Sequence, residues 1–413
     1  MSNVNAFGQP AANLSEDEAR LFDAGDALFT QVWSPASADG GGDGLGPLFN
    51  ADSCSSCHLR DGRGDPEGDE PGLLIRLSVP ATQGTALEPS YGEQLQDRSV
   101  IGVPAEGTVR TFYVEESGTY ADGTEYTLRR PVLELEDLAY GELSVDVQTS
   151  ARLAPPVFGA GLLEAIPAES IVAAADPDDE DGDGISGRPN YVVDNATGTL
   201  TLGRFGWKAN VPTLSQQIAH AFVEDMGITS QMFPTESCTI AQVECASASA
   251  GATPEIDQDR FDALVFYNAT LAVPARRNLS DPQVEEGANL FLDLNCHSCH
   301  TPRQETGEHA IDALSNQVIF PFTDLLLHDM GPGLADGRDD GQASGSEWRT
   351  PPLWGLGLNQ IVNGHTFFLH DGRARSIEEA ILWHGGEAGE SAEGFKQLDA
   401  DQRAALIEFL ESL

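Results

Sequence analysis

The sequence predicts a mainly α-helical protein of two similar domains, the first of which contains a β-rich insertion. Three observations predict this fold class. The pattern Cys-x-x-Cys-His occurs twice, at residues 54–58 and 296–300. A segment with an N-terminal capping signal and apolar residues at helical spacing precedes each copy. Between the copies lie short segments rich in β-branched and aromatic residues, separated by Gly, Asp and Ser turns.

The repeated pattern indicates two covalently bound haem c groups. In this motif both thiols form thioether bonds with the haem, and the adjoining histidine binds the iron. The first set is Cys54, Cys57 and His58, and the second is Cys296, Cys299 and His300. Zinc and redox-active cysteines are the alternatives, but the two Cys pairs lie far apart in the chain and each has its own histidine. We therefore expect cytochrome c-like haem domains at residues 1–275 and 276–413.

Capping signals mark the expected helix starts. Ser15 with Glu18, and Asp399 with Gln402, form capping boxes at the beginning of the first and last helices. The predicted helices cover residues 19–32, 215–225, 259–271, 284–294 and 403–413. The β-rich insertion is expected at about residues 72–150, with strands at 73–79, 108–115, 124–135 and 142–148.

The chain is strongly acidic. Its 413 residues include 66 Asp and Glu against 22 Lys and Arg, which gives a formal net charge of −44. Nucleic acids and anionic membrane surfaces are excluded as partners, because their phosphates would be repelled. A basic electron donor or acceptor protein would be attracted, although a solvated acidic surface suited to a saline habitat is the more common cause of such a charge.

The haem motifs also indicate a cellular compartment. No apolar run is long enough to span a membrane, and residues 1–5 lack the pattern of a signal peptide. Because bacteria attach haem to such motifs outside the cytoplasm, we expect a periplasmic protein whose signal peptide has been removed. Cys238 and Cys245 remain after the haem motifs, and in an oxidising compartment we expect them to form a disulfide.

The sixth ligand of each iron separates electron carriers from enzymes, because the macrocycle and the proximal histidine fill the other five positions. For the second haem the candidate is His384, near the end of a helix that begins at Ser376. From the residues alone, a histidine at a helix end is more often a surface residue. The first haem has no comparable candidate and is expected to be open, with His220, Lys208 and His328 as alternative ligands.

Three C-terminal segments resemble the second haem domain of the bacterial di-haem cytochrome c peroxidases. They are Arg349-Thr350-Pro351-Pro352-Leu353, Phe368-Leu369-His370-Asp371-Gly372-Arg373 and Glu378-Glu379-Ala380-Ile381. In that superfamily the sixth ligand follows the His-Asp-Gly motif by 14 residues, and His384 stands in that place. The peroxidases have Met there, so histidine is a departure that implies a haem of lower potential. His370 and Arg373 are candidates to bind the haem propionates or to fix the loop.

The chain is more closely similar to the bacterial di-haem oxidoreductase family, and this resemblance covers most of its length. The matching segments lie at residues 57–64, 183–190, 205–208, 225–229 and 327–331. In the di-haem peroxidases and the related di-haem rubber oxygenases the N-terminal haem is the reactive one, so the resemblance implies the same here. It makes Trp207 a candidate electron relay between the haems, with an ordinary core tryptophan as the alternative. Phe222 and Glu224 are candidates for the distal pocket of the first haem, although the spacing of Phe222 also fits plain core.

An acidic loop at residues 179–190 has the pattern of a calcium-binding loop, with alternating carboxylates and a tight-turn glycine. The candidate ligands are Asp179, Asp181, Asp183 and the carbonyl of Ile185. Position 12 is Asn190 rather than the bidentate Glu of an EF-hand, and an acidic surface turn is the alternative. Calcium near the domain junction is a feature of di-haem peroxidases, which favours a Ca²⁺ ion here.

The function expected from these residues is that of a periplasmic di-haem c-type oxidoreductase. Electrons would pass between the six-coordinate haem of His300 and His384 and the reactive haem of His58. Hydrogen peroxide is the expected small-molecule oxidant, with a nearby acid or base assisting O–O cleavage. The alternatives are a pure electron-transfer di-haem cytochrome c and a haem oxygenase acting on an apolar substrate, as in the di-haem rubber oxygenases. A carboxylate or histidine over the first iron would favour the peroxidase.

Overall fold

The structure, a computed structural model, describes residues 2–36, 43–68, 72–82, 84–248 and 251–413. Helices cover 30% of the chain and strands cover 19%. The expectation of a mainly α-helical fold of two cytochrome c-like domains is therefore wrong. Several small sheets lie outside the predicted insertion, and long irregular segments join the elements. The physical reason is that 43 Gly and 24 Pro interrupt helices and strands alike, so regular segments stay short.

The described residues contain 13 α-helices and five short 3-10 helices. The α-helices are α1 (Glu16–Phe29), α2 (Cys54–Cys57), α3 (Ala160–Glu164), α4 (Ala168–Ala173), α5 (Leu214–Asp225), α6 (Val243–Ser247), α7 (Gln258–Thr270), α8 (Pro282–Asp293), α9 (Gly331–Leu334), α10 (Asn359–Val362), α11 (Ile377–Leu382), α12 (Gly389–Gln397) and α13 (Ala400–Ser412). The 3-10 helices are Leu59–Asp61, Cys296–Ser298, Asp312–Leu314, Leu356–Leu358 and Gly386–Ala388. The five predicted helices correspond to α1, α5, α7, α8 and α13, and the capping boxes of Ser15 and Asp399 are confirmed.

The strands of the described residues are short, apart from one long hairpin. They are β1 (Leu48–Phe49), β2 (Leu73–Pro80), β3 (Thr85–Ala86), β4 (Arg98–Ser99), β5 (Thr108–Thr119), β6 (Glu125–Glu136), β7 (Gln148–Leu153), β8 (Tyr191–Asp194), β9 (Thr199–Leu202), β10 (Gln304–Glu305), β11 (Val318–Ile319), β12 (Leu327–Asp329) and β13 (Glu347–Arg349). β2 lies between β3 and β7, and the two-stranded pairs are β1–β4, β5–β6, β8–β9, β10–β11 and β12–β13, all antiparallel. The strand predicted at 142–148 is wrong, since β7 begins where that segment ends.

Two helix pairs with glycine crossings position the two haem motifs. α1 packs on α7, and α8 packs on α13. A Cβ on Gly25 of α1 would lie 2.4 Å from the carbonyl oxygen of Ala263, and one on Gly287 of α8 would lie 2.0 Å from that of Ala405. Only glycine permits such close approach of two helix backbones. The two copies of Cys-x-x-Cys-His therefore follow helices that are packed in the same way.

The β5–β6 hairpin joins the insertion to the C-terminal half. At its tip Tyr120 contacts the ring of Phe395 and donates a hydrogen bond to Glu378 at 2.6 Å. Arg403 of α13 binds Asp122 at 2.8 Å. A hydrophobic cluster around α8 and α13 accordingly includes Tyr120. The proposed division of the chain near residue 275 stays a prediction.

Among the described residues, no helix combines the length and the apolar character needed to cross a membrane.

Candidate functional site

The first haem motif opens onto a large cavity. Its volume is about 270 Å³, and Cys54, Cys57 and His58 lie in its wall. Most of the lining is apolar, and part of it comes from α5, including the buried ring of Phe222. Ser53 caps the short helix of the motif by accepting a hydrogen bond from the backbone N–H of Ser56 at 3.2 Å. The cap holds both thiols on one turn beside the cavity.

The His58 ring is oriented as an iron ligand requires. Its Nδ1 lies 2.7 Å from the carbonyl oxygen of Pro155, so this nitrogen carries the proton and Nε2 keeps a free lone pair. Burial lowers the pKa of His58, which favours the neutral ring. The ring of Phe29 lies 6.2 Å away. His58 is therefore preset to bind a metal through Nε2.

The second haem motif lines a cavity of about 190 Å³, together with His384. His300 Nδ1 lies 3.0 Å from the carbonyl oxygen of Phe322, and His384 Nδ1 lies 2.7 Å from that of Ala380. The two ring centroids are 6.5 Å apart. Two metal–nitrogen bonds of about 2 Å, added to the two ring radii, give a separation of roughly 6 Å. One iron between the two rings fits this spacing.

Burial disfavours the thiolate form of two motif cysteines. Burial raises the pKa of both Cys54 and Cys296 to about 12. A zinc site or a redox-active pair needs thiolates, which a nearby positive charge or a metal stabilises. The surroundings of these thiols therefore fit covalent attachment to an apolar macrocycle better than either alternative.

One wall separates the two cavities and belongs to both. The residues that line both cavities are Arg63, Trp207, Arg349, Pro351, Pro352 and Leu356. Trp207 is fixed there because its Nε1 donates a hydrogen bond to the carbonyl of Leu153 at 2.8 Å. The indole that was predicted to lie between the haems thus faces both cavities.

The buried guanidinium of Arg63 on this wall shows whether the cavities are suited to a haem. The Nε of Arg63 is buried and has no hydrogen-bond partner among the described residues. Orphaned buried donors of this kind are rare unless a ligand satisfies them. A haem carries two propionate carboxylates that accept such hydrogen bonds. The apolar cavities, the free histidine Nε2 atoms and this orphaned donor all fit a haem.

A charged cluster stands at one side of the first cavity. Glu93 and His220 both line it, with His220 Nε2 3.3 Å from Glu93 Oε2. Burial alone would lower the pKa of His220, but the Glu93 carboxylate outweighs it and the pKa is raised. Arg76 binds the other oxygen of Glu93 at 3.1 Å. Sequence reasoning missed this pairing because Glu93 and His220 are distant in the chain.

Glu224 occupies a different place from the predicted one. It does not line either cavity within the described part of the chain. Its carboxylate lies within 4.8 Å of the Glu93 carboxylate and the His220 ring, and it accepts a hydrogen bond from Ser237 at 2.8 Å. Burial raises its pKa. Phe222, two residues earlier on α5, does face the first cavity.

Two of the alternative sixth ligands of the first haem are already engaged elsewhere. Lys208 is fully buried, and its Nζ binds Asp336 at 2.8 Å. His328 lies beside the second motif, where Asp324 holds its Nε2 at 2.8 Å and Glu387 its Nδ1 at 2.7 Å. Of the three alternatives, His220 is the one that faces the first cavity.

The acidic loop brings together a set of carboxylates that overlaps the predicted one. Oxygens of Asp176, Asp179 and Asp181 lie within 4.8 Å of one another. Asp183 turns away and accepts a hydrogen bond from the backbone N–H of Ile185 at 2.8 Å. Sequence reasoning missed Asp176 because it precedes the recognised pattern.

Four further predicted residues lie outside the cavity chemistry or at its edge. Cys238 and Cys245 form a disulfide with an S–S distance of 2.02 Å. Arg373 is paired with Asp371 at 2.6 Å. His370 lines the second cavity and stacks on Trp348, with ring centroids 3.7 Å apart.

Two cavities that each contain a Cys-x-x-Cys-His motif, joined by a shared wall with an aromatic ring, define a class of multi-haem redox proteins. The chain belongs to the family described as "Di-haem oxidoreductase, putative peroxidase", which matches residues 2–68 and 85–413. Membership confirms the resemblance noted in the sequence and makes the protein a haem-binding oxidoreductase.

Other comparisons are more distant. No curated protein matches this chain. Among solved structures, Kuenenia stuttgartiensis hydrazine synthase, determined under 20 bar of xenon, is similar at 17% identity with a TM-score of 0.27. That similarity covers 43% of this chain and 63% of the other chain, so this protein spans less than two thirds of that relative.

Proposed function

We propose that the protein is a periplasmic di-haem c-type oxidoreductase that reduces hydrogen peroxide at the haem of His58, with electrons supplied through the haem of His300 and His384. The thioether attachments would be made by the two Cys pairs. One observation carries this proposal: the second cavity is lined by two imidazoles whose centroids are 6.5 Å apart, whereas the first cavity presents His58 and, on its wall, the His220–Glu93 pair. This asymmetry supports one closed and one reactive iron.

When bound, a haem with one protein ligand supplies an iron that can bind and reduce a small oxidant on its free face. Reduction of hydrogen peroxide to two waters consumes two electrons and two protons. His220 supports the proton transfers, because the Glu93 carboxylate outweighs the effect of burial and raises the pKa of the imidazole, which favours its protonated form. The Pro155 carbonyl keeps His58 in the tautomer that binds through Nε2.

Trp207 is the residue that we propose carries electrons between the two haems. It lines both cavities, and its hydrogen bond to Leu153 keeps the indole in one orientation. The guanidinium of Arg63 lies 5.6 Å from the indole ring centre. A fixed aromatic ring between two redox centres shortens each electron-transfer step.

The charged pair in the first cavity favours peroxide reduction over the other two activities. A pure electron carrier would need a protein ligand on both irons, and an oxygenase would need an apolar pocket without an acid or base. α5 contributes apolar side chains such as Phe222 to the wall of the first cavity, but His220 of the same helix and Glu93 also line it. A proton donor beside the reactive face is what O–O cleavage requires.

An electron-donor protein and a Ca²⁺ ion are further parts of the proposal. The net charge of −44 favours a basic electron-donor protein. We assign a Ca²⁺ ion to Asp176, Asp179 and Asp181. Ser186, which follows these carboxylates in the chain, donates hydrogen bonds to Glu387 at 3.0 Å and 2.6 Å. This contact supports a role for the Ca²⁺ ion at the junction of the two halves of the chain.

The test combines spin-state counting with a turnover assay. The oxidised protein is expected to give one high-spin and one low-spin haem by electron paramagnetic resonance, and to consume peroxide when given a reduced donor. His220→Gln should lower that rate by roughly 10²–10⁴-fold, the usual contribution of a general acid. The control is His309→Gln, because His309 lines neither cavity. Two low-spin haems and no turnover, before and after partial reduction, would reject the proposal in favour of a carrier.

A further inference from the structure

Two buried arginines occupy the wall between the cavities. Arg63 is 7% exposed and Arg349 is 8% exposed, and each lines both cavities. Both lie next to Trp207: the Arg63 guanidinium lies over its ring, and the Arg349 guanidinium donates to the carbonyl of the preceding residue, Gly206, at 3.0 Å. Two positive charges thus flank the tryptophan in the interior of the protein.

Neither guanidinium forms an ion pair with a carboxylate in the part of the chain that the structure describes. Arg63 donates to the carbonyl of Leu369 at 3.2 Å, and its Nε has no partner. Arg349 donates to the carbonyls of Gly206 at 3.0 Å and Thr350 at 3.1 Å. The carboxylate that acts on Arg349 from a distance, Asp324, is already bound to His328.

Other arginines near the cavities do have carboxylate partners. Arg76 binds Glu93, Arg152 binds Asp336, and Arg338 binds Asp340. Arg373, which the sequence made a candidate for the propionates, is neutralised by Asp371. Arg63 and Arg349 therefore differ from these four arginines in having no counter-charge.

A buried charge without a counter-charge is strongly unfavourable, and proteins avoid it unless a bound group supplies the opposite charge. Burial lowers the pKa of both guanidiniums to about 10, so both remain positively charged at neutral pH. The missing negative charge must be small and must reach the shared wall from within the cavities. Carboxylates match the forked donors of arginine.

We propose that Arg63 and Arg349 bind the haem propionates and form one counter-ion site shared by the two haems around Trp207. This inference rests on the proposed function only in that haems occupy both cavities. It has two consequences. The arginines fix the orientation of the haem edges next to the tryptophan, and their charge raises the reduction potential of both irons, because a nearby positive charge destabilises the oxidised state.

The test uses the holoprotein and the variants Arg63→Gln and Arg349→Gln. The midpoint potentials of both haems are measured by spectroelectrochemical titration, and the propionate bending bands by resonance Raman spectroscopy. At least one potential is expected to fall by about 59 mV or more, which is a tenfold change in a one-electron equilibrium. The Raman bands should shift in the same variants. Arg20→Gln removes an arginine whose side chain is 70% exposed and lines neither cavity, and it should change neither readout.

Potentials and Raman bands that match the unaltered protein in both variants would overturn the proposal. If a glutamine variant loses haem or does not fold, the variants Arg63→Lys and Arg349→Lys are measured instead. Lysine keeps the positive charge but lacks the paired N–H donors of the guanidinium. The proposal then requires the Raman bands to shift while the potentials stay near their original values, and it fails if the bands are unchanged. These readouts do not depend on peroxide turnover, so an inactive protein with shifted potentials would reject only the proposed activity.

Discussion

The imidazole rings of His300 and His384 line the same cavity, with their centroids 6.5 Å apart and their planes tilted by 46°. Both rings are fixed at Nδ1 by a backbone carbonyl, at 3.0 Å and 2.7 Å respectively. His384 follows α11, whose start is fixed by the Ser376 cap. The two nitrogens that would bind iron are therefore held in place by backbone on both sides of the cavity, which suits an electron-transfer site that must reorganise little.

Replacement of His384 tests this pair. His384→Ala should convert one low-spin haem to high-spin, because the sixth position loses its ligand. His384→Met should restore a low-spin haem with a higher midpoint potential, since Met/His ligation raises it. Electron paramagnetic resonance and redox titration report both effects, and His309→Ala is the control. A low-spin spectrum that is unchanged in His384→Ala would show that another group binds the iron.

Replacement of Trp207 tests the path between the cavities. Trp207→Phe keeps an aromatic ring but loses the hydrogen bond to Leu153, which costs about 1 kcal/mol of stability. Electron transfer between the haems, followed by stopped-flow absorption after reduction of one of them, should become slower while both haem spectra stay the same. Trp354→Phe is the matched control, because Trp354 lines the first cavity but not the second. Equal rates in both variants would make Trp207 an ordinary core residue.

Sequence reasoning found those parts of the site that are adjacent in the chain. Cys54, Cys57 and His58 are one local motif, and the helix starts at Ser15 and Asp399 are set by residues within one turn. Of the contacts between distant residues, the pairing of His300 with His384 was predicted only through the family resemblance, and the pairing of Glu93 with His220 was not found. His220 meets Glu93 across 127 positions, and nothing local distinguishes such a pair from solvated surface charge.

The fold class failed for a related reason. The predicted strands at 73–79, 108–115 and 124–135 are present, as are the five predicted helices. The error lay in the rest of the chain, where strands such as β12 and β13 have only three residues each. Such short strands are stabilised by what they pack against, and no periodicity can be read from three residues.

The acidic loop predicts a dependence on divalent cations. Removal of Ca²⁺ with a chelator should lower the thermal midpoint of the protein, since a ligand at 100 times its dissociation constant contributes about 2.7 kcal/mol. Asp179→Asn should abolish this response, and asparagine tolerates the left-handed backbone there, with φ of 48°. The control is Asp178→Asn, because Asp178 is the exposed neighbour of Asp179. Unchanged melting, with no metal found by elemental analysis, would remove Ca²⁺ from this site.

Glu106 predicts how stability depends on pH. The Glu106 side chain is completely buried beside Gln242, and it accepts a hydrogen bond from the backbone N–H of Gln96 at 2.6 Å. Burial raises the pKa of this carboxyl from 4.5 to about 8. Between these two values the folded protein binds more protons than the unfolded chain, so the free energy of unfolding must fall as pH rises. At about 1.4 kcal/mol for each pH unit, the loss from this residue is on the order of a few kcal/mol.

Glu106→Gln removes this titration, and urea unfolding from pH 5 to pH 8 measures the result. At pH 5 the variant should be less stable by about 1 kcal/mol, because its amide meets the amide donor of Gln242. As pH rises the original protein loses stability and the variant does not, so the two curves should cross below pH 8. Glu142→Gln, at an exposed position, should leave the slope unchanged. Parallel curves for Glu106→Gln and the original protein would mean that the buried carboxyl keeps the same charge in the folded and unfolded states.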